Sequence, residues 1–328
     1  MIGVLVLTGF LGSGKTTLLR HLLAQPQFSR TAVIINEFGE IGLDHELVAS
    51  STDHFITLTT GCLCCKLRSD LVATLEDMLR RREEGTVPAF TRVVIETSGL
   101  ADPAPILQTL MTDTNLAGHL VLNGLITTVD ALNGAGTLER EAISVKQVAL
   151  ADRLILTKSD LVESGLVPLR ARLAGLNQMA PLLTADHGRV DPDVFEVDSS
   201  ITNATWVREL VSDELGPEHA HDSEIQACAI LRTEPIHAVA LSLFLEALAE
   251  HCGADLLRLK GIVHIAQSTD RPAVIHGVQH VFHPLEWLPH WPSEDRRSRI
   301  VMIGRRLPQR WIELLLTGIQ AEVQELIR

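Results

Sequence analysis

Ten residues near the N-terminus, Thr8-Gly9-Phe10-Leu11-Gly12-Ser13-Gly14-Lys15-Thr16-Thr17, carry the strongest chemical signal in the chain. They fit G-x-x-x-x-G-K-[ST] at Gly9, Gly14, Lys15 and Thr16, the spacing of a phosphate-binding P-loop. Glycines let backbone N–H groups turn inward on an anion, and the helix that follows adds partial positive charge at its N-terminus. In such a loop Lys15 reaches the β- and γ-phosphates of a nucleoside triphosphate and the Thr16 hydroxyl holds Mg²⁺. Gly12, Ser13 and Thr17 complete the expected phosphate contacts. A glycine turn with a surface lysine is the bland alternative, and the flanking apolar pattern argues against it.

A second group able to do chemistry is Cys62, Cys64 and Cys65, in the run Thr60-Gly61-Cys62-Leu63-Cys64-Cys65-Lys66. Leu67, Leu71, Leu75, Met78 and Leu79 follow at helical spacing, which places the cysteines in a loop at a helix entrance. That position favours the thiolate that a soft or borderline metal requires. Three thiolates cannot close a tetrahedral zinc site, so a fourth position comes from elsewhere or stays open, as a transfer site would need. Buried, inert or redox-active cysteine is the competing reading.

Carboxylates at strand ends supply the rest. Asn36 to Asp44 carries Glu37 and Glu40 among glycines and suits a loop that reorders around Mg²⁺ and a γ-phosphate. Glu96 closes an apolar run, where a second Mg²⁺ contact belongs, and Gly99 can offer its N–H to the γ-phosphate. Thr157-Lys158-Ser159-Asp160 follows a later apolar run. A lysine stem there can lie over a purine, and Asp160 can accept from the N1 and N2 protons of guanine, a donor pair adenine lacks.

These residues need a scaffold with strand ends on one edge. Short apolar runs at Ile2–Leu7, Thr31–Ile35, His54–Leu58, Arg92–Glu96, Gly124–Asp130 and Arg153–Leu156 alternate with helical segments, which predicts an α/β, doubly wound, mainly parallel sheet. Asp102 and Pro103 are start signals for the helix after Glu96. The nucleotide domain is expected over 1–190, followed by an acidic linker over 191–224 that holds His219 and His221. Those two histidines, flanked by carboxylates, read as incidental to a solvated linker, with transient metal capture as the alternative. A smaller α+β domain is expected over 225–328: strands at Ile225–Arg232, Leu256–Ala266, Ala273–Phe282 and Ile300–Ile303, and helices at Ala238–His251 and Gln309–Ile327. His264, His276, His280 and His283 alternate along its strands and are assigned packing or surface roles.

The chain has 328 residues, 46% hydrophobic and 21% charged, with a net charge of −13. That charge argues against nucleic acid or an anionic membrane as a general partner. Arg296, Arg297, Arg299, Arg305 and Arg306 near the end are read as a surface patch or as charges flanking a core strand. No secretory leader is expected, no apolar run approaches the length of a membrane span, and adjacent cysteines suit a reducing cytoplasm.

With these pieces in place the chain resembles the CobW family of P-loop GTPases. The matching segments are G-F-L-G-S-G-K-T-T at 9–17, N-E-F-G-E at 36–40, G-C-L-C-C at 61–65, E-T-S-G-L-A-D-P at 96–103, T-K-S-D at 157–160, and a C-terminal domain from about residue 225. The resemblance implies hydrolysis of GTP to GDP and phosphate, slow and stimulated by metal or client, coupled to delivery of a transition metal to a client metalloprotein. Zn²⁺ is the first candidate, with Co²⁺ and Ni²⁺ behind it. It assigns Lys15, Glu37, Glu40 and Gly99 to catalysis, Cys62, Cys64 and Cys65 to the transferred metal, and Thr16 and Glu96 to Mg²⁺. Gly9, Gly12, Ser13, Gly14, Thr17, Thr157, Lys158 and Asp160 complete the nucleotide site. The client is expected at the C-terminal domain, and a homodimer is compatible. Thr157 departs from the asparagine common in GTPases. Two other classes fit parts of the pattern: a P-loop kinase of a small metabolite, and a non-hydrolysing metal-storage or redox module.

Overall fold

The computed structural model describes residues 1–36, 67–162, 166–195 and 225–327. These residues form two compact units, the first N-terminal and the second built from Ile225 onward together with Gly175–Met179. The expected switch and cysteine loops, with Glu37, Glu40, Cys62, Cys64 and Cys65, lie outside the described residues, as do the strand expected at His54–Leu58 and both His219 and His221.

In the first unit the strands are β1 (Ile2–Gly9), β2 (Thr31–Asn36), β3 (Arg92–Thr97), β4 (Leu120–Asp130), β5 (Arg153–Thr157) and β6 (Leu182–Thr184). All pair in parallel in the order β2-β3-β1-β4-β5-β6. The helices are α1 (Lys15–Leu23), α2 (Leu67–Glu83), α3 (Ala104–Thr112), α4 (Gly134–Arg140), α5 (Ala142–Leu150) and α6 (Leu166–Leu176). Val4, Leu5, Val6 and Leu7 are all buried, as a strand covered on both faces requires. Leu18, Leu19 and Leu22 share one face of α1 and pack with Leu5, Val94 and Ile126. Burying each such leucine contributes about 1.5–3 kcal/mol, which fixes the helix start relative to the strand ends. From β1 the chain passes to β2 at the sheet edge, comes back to β3 between β2 and β1, and then continues on the other side with β4, β5 and β6. The C-terminal ends of β1, β3 and β4 therefore meet where an open parallel sheet binds ligands.

Two sequence expectations move. The strand expected to begin at Gly124 begins at Leu120, and Gly124 (φ 152°) sits at a bulge. Pairing with β1 skips Asn123, running from Val4 opposite Leu122 to Leu5 opposite Gly124. The Asp152 carboxylate accepts from the Leu125 N–H at 2.8 Å beside it. A glycine inside a strand marked a bulge instead of a strand end. The packed core also continues beyond residue 190: Val194 and Phe195 are buried with the leucines of α1, and the Phe195 ring meets Phe28 edge-on at 6.1 Å.

The second unit holds β7 (Ile225–Arg232), α7 (Ala238–Cys252), β8 (Leu256–Ile265), β9 (Ser268–Val278), β10 (Val281–Phe282), β11 (Glu286–Trp287), β12 (Ser298–Arg305) and α8 (Gln309–Ile327). Its sheet is antiparallel in the order β10-β9-β8-β12-β7, with β11 also on β9. Phe244 and Leu248 of α7 and Ile312 and Leu316 of α8 close one core with Leu259, Ile275 and Met302. Cys228 and Cys252 belong to that core, and burial above all pushes the Cys228 thiol up to about 12. They are packing residues, unlike the expected thiolate cluster. His264 stacks edge-on against Trp291 at 5.3 Å, a packing role; His264 and His276 lie on strands and His280 and His283 beside β10, and none of the four joins a metal-capable group among the described residues. No helix among the described residues is long and apolar enough to cross a membrane.

Candidate functional site

β1 delivers Gly9 to the sheet edge, and the loop to α1 turns on three glycines with positive φ: Gly9 at 142°, Gly12 at 71° and Gly14 at 89°. Gly9 is also required by space, since a Cβ there would lie 2.3 Å from Thr128 Oγ1 and 2.5 Å from the Thr128 carbonyl oxygen. Ser13 is buried, and its hydroxyl shares a 2.7 Å hydrogen bond with that of Thr128. The Lys15 ammonium donates to the carbonyls of Gly9 (3.0 Å) and Phe10 (3.3 Å), folded across the mouth of its own loop. The cation is thus held at the place where phosphate charge is expected. Thr17 is exposed one residue beyond Thr16.

β3 brings in the second half of the site. Glu96 is 1% exposed, and its Oε1 accepts from Thr16 Oγ1 at 2.7 Å. A hydroxyl and a carboxylate oxygen side by side at the head of a P-loop helix are the hard oxygen donors a Mg²⁺ ion takes. The donor set fits that ion. Thr97 Oγ1 donates to Thr8 Oγ1 at 2.7 Å and ties β3 to β1 behind the loop.

Beyond β3 the chain turns tightly, with Ala101 N–H donating to Ser98 O at 3.0 Å. Gly99 rests directly on the phosphate loop: a Cβ would lie 2.6 Å from the Leu11 nitrogen. Asp102 Oδ1 accepts from Ala104 N–H at 3.0 Å and opens α3, the role expected of it.

The run expected to recognise the base begins at the end of β5. Thr157, where the common motif has asparagine, donates its hydroxyl to Ser13 O (2.7 Å) and Val129 O (3.1 Å), so this residue joins the run to the phosphate loop. Lys158 has a left-handed backbone (φ 56°) and its ammonium pairs with Asp130 Oδ2 at 2.7 Å. Burial pushes the Asp130 carboxyl up, but hydrogen bonds from Lys158, Asn133 and the Leu132 and Asn133 N–H groups outweigh it and hold the group below its ordinary range. Asp160 Oδ2 stands 3.2 Å from His187 Nδ1 in the turn after β6. Asp160, Asp186 and His187 bring ligand atoms within 4.8 Å of one another, but all three are exposed.

Every expected nucleotide-site residue among the described residues thus gathers at one sheet edge. The sequence motifs do not point to Thr128, Asp130 or His187, nor to Gln147 of α5, whose side-chain amide donates to Gly99 O and Ala101 O. Thr128 and Asp130 could have been found, since they end an apolar run in the position that Glu96 occupies in its own.

Fold and site together define a P-loop nucleotide-binding protein. Residues 3–184 match the family model for the CobW/HypB/UreG nucleotide-binding domain, and residues 225–320 match the cobalamin synthesis protein cobW C-terminal domain. The chain belongs to the CobW family of P-loop GTPases.

Among curated proteins it is 34% identical to the zinc chaperone YjiA of Escherichia coli, over 97% of this chain and 99% of that one. It is 35% identical to the zinc-regulated GTPase metalloprotein activator 1 of Schizosaccharomyces pombe, over 60% of this chain and 48% of the relative. Among solved structures, the Zn(II)-bound YjiA GTPase from E. coli superposes with a TM-score of 0.71 at 30% identity, covering 97% of this chain and 98% of that one.

Proposed function

We propose that this chain hydrolyses GTP and uses the cycle to hold and hand over a transition metal, Zn²⁺ first, to a client metalloprotein. The observation that carries the nucleotide half is the Thr16–Glu96 hydrogen bond, which joins residues 80 apart in sequence into one hard-cation site at the head of the phosphate loop. The metal half is supported by the near full-length likeness to a protein named as a zinc chaperone, and by three cysteines in four positions.

Residue by residue, Gly9, Gly12, Ser13, Gly14 and Thr17 cradle the phosphates, and Lys15 exchanges its carbonyl partners for phosphate oxygens. Thr16 and Glu96 hold Mg²⁺, which neutralises charge on the β- and γ-oxygens when bound. Gly99 donates its N–H to the γ-phosphate, and Glu37 and Glu40 act from the first switch. Thr157 fixes the base-recognition run to the loop, Lys158 covers the purine and Asp160 accepts from guanine. Cys62, Cys64 and Cys65 bind the cargo ion as thiolates, with a fourth position left for exchange. The C-terminal domain reads the client, and the setting is cytoplasmic.

Product analysis on the purified protein tests this. GTP with Mg²⁺ yields GDP and inorganic phosphate, and GDP but not ADP competes. A phosphorylated small acceptor would identify a kinase instead. Turnover near zero with both metal and client present would leave a storage or sensing module.

A further inference from the structure

Gln147 of α5 lies outside every motif, yet it is 1% exposed and reaches the turn that carries Gly99. Its Nε2 donates to two carbonyls, Gly99 O and Ala101 O, each at 3.1 Å. An amide has two N–H groups, and here both serve one tight turn. The anchor is firm: the Thr127 hydroxyl of β4 donates to the Gln147 backbone carbonyl at 2.9 Å. The preceding residue reinforces it, Lys146 Nζ meeting Asp102 Oδ2 at 2.5 Å. Two consecutive side chains of α5 thus grip a stretch of four residues between the end of β3 and the start of α3.

The other end of the amide carries the second observation. Gln147 Oε1 is buried with no hydrogen-bond partner among the described residues. A buried unpaired acceptor is costly, and a leucine of similar length would avoid that cost. What the amide adds over a leucine is control of the Gly99 and Ala101 carbonyls. Gly99 cannot move freely on its other side either, because its Cα faces the Leu11 backbone too closely for a Cβ.

We propose that Gln147 is a positioning residue for hydrolysis: by holding the Gly99 and Ala101 carbonyls it sets the orientation in which Gly99 presents its N–H toward the γ-phosphate. The inference rests on the reading of Gly99 given above. Gln147 acts on the reaction only through that turn and touches no phosphate itself.

Gln147→Leu keeps the volume and removes both donors. Its single-turnover GTP hydrolysis falls about tenfold, roughly the net worth of one hydrogen bond. GDP affinity stays near wild type, because loss confined to the chemical step leaves ground-state binding intact, while the thermal midpoint falls modestly as two carbonyls lose their donor. Gln147→Glu, which offers only acceptors to two carbonyls, loses at least as much. Amide exchange across 98–102 in nucleotide-free protein rises in both variants, and this arm reads the grip on the turn whether or not GTP is turned over. Wild-type hydrolysis rates in both variants overturn the proposal. So does a parallel fall of rate and GDP affinity, which marks a packing residue, and so does unchanged exchange across the turn. A wild-type protein that does not hydrolyse GTP defeats the parent reading alone, and the exchange result then decides this one.

Discussion

Gly99→Ala separates contact from conformation. Gly99 is absent from the positive-φ glycines, so alanine is permitted by its backbone and the whole effect comes from space. The new methyl would lie 2.6 Å from Leu11 N, 2.8 Å from Leu11 Cα and 2.8 Å from Leu11 Cδ2. The side-chain carbon can swing away, but the two backbone atoms belong to the phosphate loop. Reaching ordinary van der Waals contact opens the turn from the loop by about 0.8 Å. A displacement near 1 Å at a reacting centre costs about 10²-fold in rate, so hydrolysis by Gly99→Ala drops by one to two orders of magnitude. Single-turnover phosphate release measures it, with GDP binding as the control, since GDP has no γ-phosphate for Gly99 to meet. A wild-type rate, or equal damage to GDP binding, refutes the placement of Gly99 at the γ-phosphate.

The remaining expectations concern the base side. Asp160→Ala removes a charged acceptor whose hydrogen bonds are worth about 1.5–3 kcal/mol each, so GDP binds at least tenfold more weakly while ADP binding is unchanged; nucleotide titration reads both. Thr157→Val leaves the shape but takes the hydroxyl from the Ser13 and Val129 carbonyls. Stability falls by about 1–3 kcal/mol in a denaturant melt, with weaker GDP binding because the phosphate loop loses its tie. For pH, the Asp130 carboxyl is held below its ordinary 3.8, so the unfolded chain takes the proton first as pH falls. Its contribution to stability is present above the unfolded value and is lost as pH drops through the folded one. Lys158→Met removes the strongest of the lowering contacts and moves this acid limb of the stability curve to higher pH.

The phosphate loop was legible because its chemistry is local: glycines, lysine and threonine must be close in sequence to share one turn and one helix start. Glu96 was legible as a carboxylate closing an apolar run, and the structure sets it 2.7 Å from Thr16. Gln147 was not legible, since its partners Gly99 and Ala101 are 48 and 46 residues away and α5 carries only a weak sidedness. The short β6 is not legible, since three residues after a proline carry no periodicity, and the start of β4 is hidden because a bulge glycine imitates a strand boundary. In the second unit α8 has the expected limits, while the run expected as one strand over Ala273–Phe282 turns back at Gln279 (φ 56°) to give β9 and β10, which pair antiparallel.

The central claim is that nucleotide state governs metal occupancy. Equilibrium titration of Zn²⁺ into the protein loaded with Mg²⁺ and a non-hydrolysable GTP analogue, and separately into the GDP form, measures it directly. Moving the site from nearly full to nearly empty requires affinities that differ by about 10⁴-fold, roughly 5.5 kcal/mol, a gap that loss of one thiolate ligand can supply. A gap of that order between the two forms, abolished when Cys62, Cys64 and Cys65 are replaced by serine, is the predicted result. Equal affinities in the two forms would contradict it.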